Sequence, residues 1–277
     1  MASELALRRP MLRTTLRKTL REQRRALMWW AIGLFAAGAT YAPFYPSIKE
    51  NAETLEQYME SMPEFLRQAF MGASGDFTSP AGYLNTELFN FFAPILLLLY
   101  AIGAGARAIA GEEERQTLDV LLATPTTRRR VVLDKFGAML AGTALLCLVL
   151  WVSVPLTGPP FELTPSLWDL AAACVMSFLL AIVFGSIALA VGCATGRRGL
   201  AIGVTAGFAA AAYLVDLLTP AIESIEWLQY LSPFHYYLDP EPMMRGLGLF
   251  GSAVLAGISV VALAYALVAF ERRDLAS

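Results

Sequence analysis

Histidine is almost missing from this chain: His235 is the only one. A metal centre needs several ligands, so a histidine-based site is not expected, and beside Tyr236 and Tyr237 this side chain reads as an interfacial residue. Cysteine is scarce as well. Cys147, Cys174 and Cys193 each lie within an apolar run and show no C-x-x-C spacing, which suits small packing residues rather than disulfides or metal ligands. No G-x-x-x-x-G-K-[ST] occurs, so the chain has no P-loop in which to cradle nucleotide phosphates, and ATP-driven work would need a second polypeptide. Charge is sparse too. Only 16% of residues are charged against 57% hydrophobic, with a mean hydropathy of +0.55, which excludes an ordinary soluble domain. No cleavable signal peptide is expected, because the first apolar run follows a long basic stretch and lacks a small-residue cleavage site.

What the chain has in abundance is long apolar runs. Six are long enough to span a bilayer, at about 26–45, 84–110, 131–157, 168–194, 199–218 and 249–270. The first opens on Trp29 and Trp30 at interfacial depth and is expected to end at Pro43 and Pro46. In the second, Pro94 removes a backbone donor and should kink the helix, a defect tolerated where a neighbour satisfies the freed carbonyl. In the fifth, Gly199, Gly203 and Gly207 recur every four residues, a face that lets helices pack closely.

The segments between the runs differ in character. Residues 1–25 carry Arg and Lys interleaved with Leu12, Leu16 and Leu20, the pattern of an amphipathic helix in the headgroup region; a solvated basic tail is the plainer alternative. Residues 46–80 are acidic, with Leu55, Met59, Met62, Phe65, Leu66 and Phe70 at helical spacing, and read as a pair of short surface helices. Residues 219–247 are too short in apolar residues to span but hold Trp227, Tyr230, Phe234, Tyr236 and Tyr237, which indicates short interfacial or re-entrant helices. The net charge of −2 hides a strong segregation. Eighteen of the 21 Lys and Arg fall in the N-terminus, residues 107–135, the turn at 196–198 and the C-terminus, and only Lys49, Arg67 and Arg245 fall in the other loops. That asymmetry places both termini in the cytoplasm and leaves no message for nucleic acid. The expected fold is an all-α integral membrane protein of six transmembrane helices, in one transmembrane domain, at the cell membrane.

One charged segment stands between the second and third runs: GEEERQTLDVLLATPTTRRRVVLDK, from Gly111 to Lys135. Burying each of its charges at a membrane centre would cost about 3 kcal/mol, so it must stay in water. Leu118, Leu121 and Leu122 nevertheless fall at helical spacing, so a short helix here, ended by Pro125, presents an apolar stripe on the aqueous side. Such a stripe calls for a protein partner. Thr126 or Thr127 is placed to cap the helix that follows.

The run E-E-E-R-Q-T-L-D-V-L-L-A-T-P-T-T-R-R-R-V-V-L-D-K resembles the cytoplasmic signature of ABC-2 type transporter permeases. In that signature an acidic pair precedes T-L-[DE]-x-L-L, then a Pro, an Arg and a Lys. The stretch L-S-P-F-H-Y-Y from Leu231 to Tyr237, with Pro240, Pro242 and Gly246 after it, is similar to the family's segment before its last helix. The basic N-terminal helix, G-Y-L at Gly82 to Leu84 and the six-span layout extend the likeness over nearly the whole chain. One position departs from it: the family usually has Gly before Thr-Leu, and Gln116 stands here.

The resemblance implies a non-catalytic membrane subunit paired with a second permease subunit, as a homodimer or heterodimer. Each copy would dock one of two ABC ATPase subunits, which hold the ATP and Mg, so that no cofactor sits in this chain. The docking element would be a coupling helix at 112–125, with Leu118, Leu121 and Leu122 as knobs. Glu112, Glu113, Glu114, Arg115, Thr117, Pro125 and Arg128 would complete the docking surface. The implied activity is export of an amphipathic, drug-like or lipid-like substrate. Two alternatives are a structural or signalling membrane protein, and an intramembrane protease of the CAAX type, which the Glu112–Glu114 run and His235 with Asp239 loosely resemble. The topology puts those two groups on opposite membrane faces, where they cannot share a water.

Overall fold

The computed structural model describes residues 23–61, 77–114, 116, 127–219 and 222–273, and every regular element among them is helical. Six helices are long and apolar enough to cross a membrane: α1 Gln23–Glu50, α2 Pro80–Ala108, α3 Arg128–Thr157, α4 Leu167–Thr195, α5 Arg198–Leu218 and α6 Leu249–Arg272. The shortest, of 21 residues, is about 31 Å long, which matches a hydrocarbon core of about 30 Å. The amphipathic stretch at 1–25 lies, but for its last three residues, outside the described residues.

Proline does not end α1 at residue 45. Pro43 and Pro46 each sit in the first turn of a short helical piece, Ala42–Phe44 and Tyr45–Glu50, where a missing N–H costs nothing, so the helix is re-aimed and continues to Glu50. A further helix, Ala52–Glu60, follows; its expected companion around residues 62–76 lies outside the described residues. At the far end of α1, Lys49 pairs with Glu162 in the α3–α4 connection at 2.6 Å and holds that carboxyl below its usual range.

The helix at the centre is α4, packed most extensively on α2 and α6, with further contacts to α3 and α5. Its crossing with α2 depends on a pair of glycines. A Cβ added to Gly105 would fall inside the contact surface of the Gly185 carbonyl oxygen, so the two backbones touch where side chains are absent. The glycines singled out by spacing behave differently: Cβ atoms at Gly199, Gly203 and Gly207 would meet nothing described within 4 Å. That face of α5 is open, whereas the α2–α4 crossing has its close approach at Gly105 and Gly185.

Pro94 has an effect beyond a kink. Residues Asn85–Phe92 of α2 form a π-helical stretch, with the Ala93 amide donating to the Leu88 carbonyl five residues back. In that register the amide that would reach the Phe89 carbonyl belongs to residue 94, a proline without N–H. The freed carbonyl is taken by a tyrosine from elsewhere in the chain. Tyr237, fully buried in the short helix Pro233–Leu238, donates its hydroxyl to the Phe89 oxygen at 2.6 Å. The same hydroxyl lies 3.0 Å from Ser177 Oγ on α4. Tyr237→Phe leaves the ring packed and that carbonyl unsatisfied, so it should lower stability by about 1–3 kcal/mol in detergent thermal unfolding; an unchanged unfolding temperature would show that this bond does not hold the bend.

Candidate functional site

Helix α2 passes directly into a short helical turn, Ala110–Glu114, that carries Glu112, Glu113 and Glu114. Successive residues on a helix point about 100° apart, so three consecutive carboxylates reach three different neighbours. Glu112 accepts from Lys135 of α3 at 2.6 Å, and that lysine is only 8% exposed. Glu113 is paired with Arg273, which follows α6 and also donates to the Cys193 carbonyl at the end of α4. Glu114 accepts from the backbone N–H of Arg198, the first residue of α5, at 3.0 Å, where the positive end of the helix dipole favours an anion. One acidic turn therefore holds the ends of three other spanning helices.

The surrounding basic residues complete this arrangement. Arg128, the first residue of α3, donates to the carbonyls of Phe270 and Arg273 at 3.1 and 2.8 Å and lies over the Phe270 ring. These are carbonyls at the C-terminal end of α6, which lack helical partners and attract cations. Arg129 forks onto Glu271 through two bonds, at 2.5 and 2.8 Å. Gly196, in the left-handed conformation at φ 66°, ends α4 and turns the chain into α5 beside Glu113 and Arg273. A cavity of about 270 Å³ opens here, lined by Gln23, Arg107, Glu112, Glu114, Lys135 and Arg198 among smaller residues. The first described residue of α1, the acidic turn, the α4–α5 turn and the end of α6 thus share one end of the bundle.

Of the residues expected to dock a partner, Glu112, Glu113, Glu114 and Arg128 are described, and all four are engaged within the chain. Arg115, Thr117, Leu118, Leu121, Leu122 and Pro125 lie outside the described residues. Thr127 occupies the N-cap position of α3 with extended backbone, but its side chain makes no capping bond; the amides of Arg130 and Val131 are taken by its carbonyl instead. Gln116 has φ 56°, the left-handed region that glycine enters freely and other residues rarely do. The position where the sequence lacks the usual glycine is thus one whose backbone wants it.

The acidic turn and His235 lie far apart. Asp216, 4.0 Å from His235, is 18 residues along α5 from Arg198, which Glu114 touches. At 1.5 Å per residue that separates His235 from the glutamates by about 27 Å, so they cannot act on one water. Among the described residues no group of His, Cys, Asp or Glu could hold a metal ion.

The partners in this network were not singled out by spacing. Lys135, Arg198, Glu271 and Arg273 meet their partners across separations of 23 to 160 residues, which no local periodicity reveals. The only signal was their placement at the ends of the apolar runs. No curated protein sequence matches the chain. Its sequence does match the family described as ABC-2 family transporter protein over residues 13–275, the whole of the helical bundle included. Six spanning helices whose ends are tied together around an E-E-E turn, and a family match of that extent, carry one conclusion: the chain belongs to the ABC-2 family of transporter proteins.

Proposed function

We propose that this chain is the permease subunit of an ABC exporter for an amphipathic, drug-like or lipid-like substrate, driven by ATP hydrolysis in a separate subunit. Permeases of this family work in general with ABC ATPases. In this reading two such subunits, holding ATP and Mg, dock on segment 112–125 of two permease copies, at the cytoplasmic face of the cell membrane. The open face of α5 at Gly199, Gly203 and Gly207 leaves room for the second copy. The chain itself performs no hydrolysis.

The observation that carries this reading is the spread of the three glutamates to α3, α5 and the end of α6. They stand immediately before the Leu118–Leu122 stripe. A push on that stripe would be delivered through Glu112, Glu113 and Glu114 to three helices at once, because charge-assisted hydrogen bonds resist separation more than apolar contacts resist sliding. The ATPase supplies the stroke; the acidic turn distributes it. The test is affinity purification of the tagged chain from its own membranes. A companion chain with a P-loop, in near-equal amount, is expected, whereas a chain that transports alone overturns the proposal.

A further inference from the structure

Several carboxylates of this bundle have cationic partners among the described residues. Glu112, Glu113, Glu162, Glu241 and Glu271 each have a Lys or Arg within 4 Å, and Asp216 faces His235. Glu87 has none among the described residues. It lies in the π-helical stretch of α2, seven residues inside Pro80, and so about 10 Å along the helix from that end. Its side chain is partly buried, no hydrogen bond or ion pair from the described residues reaches it, and its electrostatic neighbours among them are two phenols, Tyr41 and Tyr83. An ionisable group in a span without a partner is costly to keep, and such groups mark pathways.

The surroundings are aromatic. Tyr41 packs on Tyr83 and on Phe92, with ring centres 6.4 and 6.0 Å apart, and Phe91 packs edge-on against Phe92 at 5.6 Å. The Tyr83 hydroxyl is engaged elsewhere, donating to the Tyr41 carbonyl at 3.0 Å. The wide turn of a π-helix brings residues four and five positions on, Phe91 and Phe92, to the side of Glu87. Both rings are about half exposed, at 45% and 49%. Beside the carboxylate, the Thr86 hydroxyl is buried without a partner. A carboxylate amid aromatic residues, with accessible apolar surface next to it, is the chemistry that recognises an organic cation.

We propose that Glu87, with Tyr41, Tyr83, Phe91 and Phe92, binds the cationic head of an amphipathic cation, whose apolar body lies along the two phenylalanines. Its role as a cargo site rests on the permease reading above, but the binding itself does not. A second copy of the chain could neutralise Glu87 with a cation of its own, and the experiment separates that outcome.

The probe is radiolabelled tetraphenylphosphonium, measured by equilibrium binding to the full chain purified in detergent with whatever subunits accompany it. Tetraphenylborate, of the same shape and opposite charge, is the control. Tetraphenylphosphonium is expected to bind, Glu87→Gln to weaken it about tenfold, the loss of one charge-assisted contact, and Glu87→Asp to retain most of the affinity. Tetraphenylborate binding should be the same in all three proteins, and monodisperse elution with an unchanged unfolding temperature reports that the variants are folded. No binding of the cation by the unaltered chain, as a partner cation on Glu87 would cause, overturns the proposal, and so does equal affinity in Glu87→Gln. Since no nucleotide is present, cation binding without any companion ATPase would fault the permease reading alone. A docked ATPase with no Glu87-dependent binding would fault this site alone.

Discussion

Gly105→Val should prevent the bundle from reaching a stable fold. A Cβ at this position collides with the Gly185 carbonyl oxygen and approaches the Leu189 amide, and both are backbone atoms of the helix on which the others pack. Backbone cannot rotate aside as a side chain would, so α2 and α4 must separate along their length. Overpacking a well-filled core costs about 1–3 kcal/mol even where side chains adjust, and a branched residue against backbone should reach or exceed the top of that range. The readout is the yield of monodisperse protein and its thermal unfolding in detergent. Gly203→Val is the matched control for packing within one chain, because a Cβ there meets nothing described within 4 Å; its effect on pairing with a second copy is read separately, from the oligomeric mass. Equal stability of Gly105→Val and the unaltered chain would show that the α2–α4 crossing is not what organises the fold.

The contrast between these glycines shows where a sequence speaks and where it is silent. Bilayer thickness sets the length of an apolar run, so the six spanning helices are legible from composition alone, with ends displaced by a few residues. Which glycines touch is not set by spacing, because a four-residue repeat marks a smooth face without saying what lies against it. Gly105 and Gly185 have no such repeat and are found only once α2 and α4 are placed. Pro94 was legible as a defect that needed an outside donor; that the donor is Tyr237, 148 residues from Phe89, was not. In sequence the acidic turn reads as part of a docking surface; its bonds to Lys135, Arg273 and the Arg198 amide show only once the helices are placed. Attraction between charges at helix ends depends on which ends are neighbours, and that is a property of the packed bundle. The departure at Gln116 was visible as a missing glycine, and its positive φ supplies the physical reason why glycine suits the position.

In the proposed reading a separate ATPase seats on the leucine stripe ahead of α3. Leu121→Asp and Leu122→Asp each put a carboxylate where an apolar knob should enter a groove. Losing such an anchor costs about 2–4 kcal/mol, or roughly 30- to 1000-fold in affinity, and a buried unpaired charge adds to it. Undiminished yield of monodisperse permease from both variants reports that the bundle itself is intact. The measurement is the ratio of ATPase to permease recovered when each tagged variant is purified from its own membranes alongside the unaltered chain. Near-equal recovery with the unaltered chain and almost none with Leu121→Asp or Leu122→Asp is the expected result; undiminished recovery with both variants would contradict it.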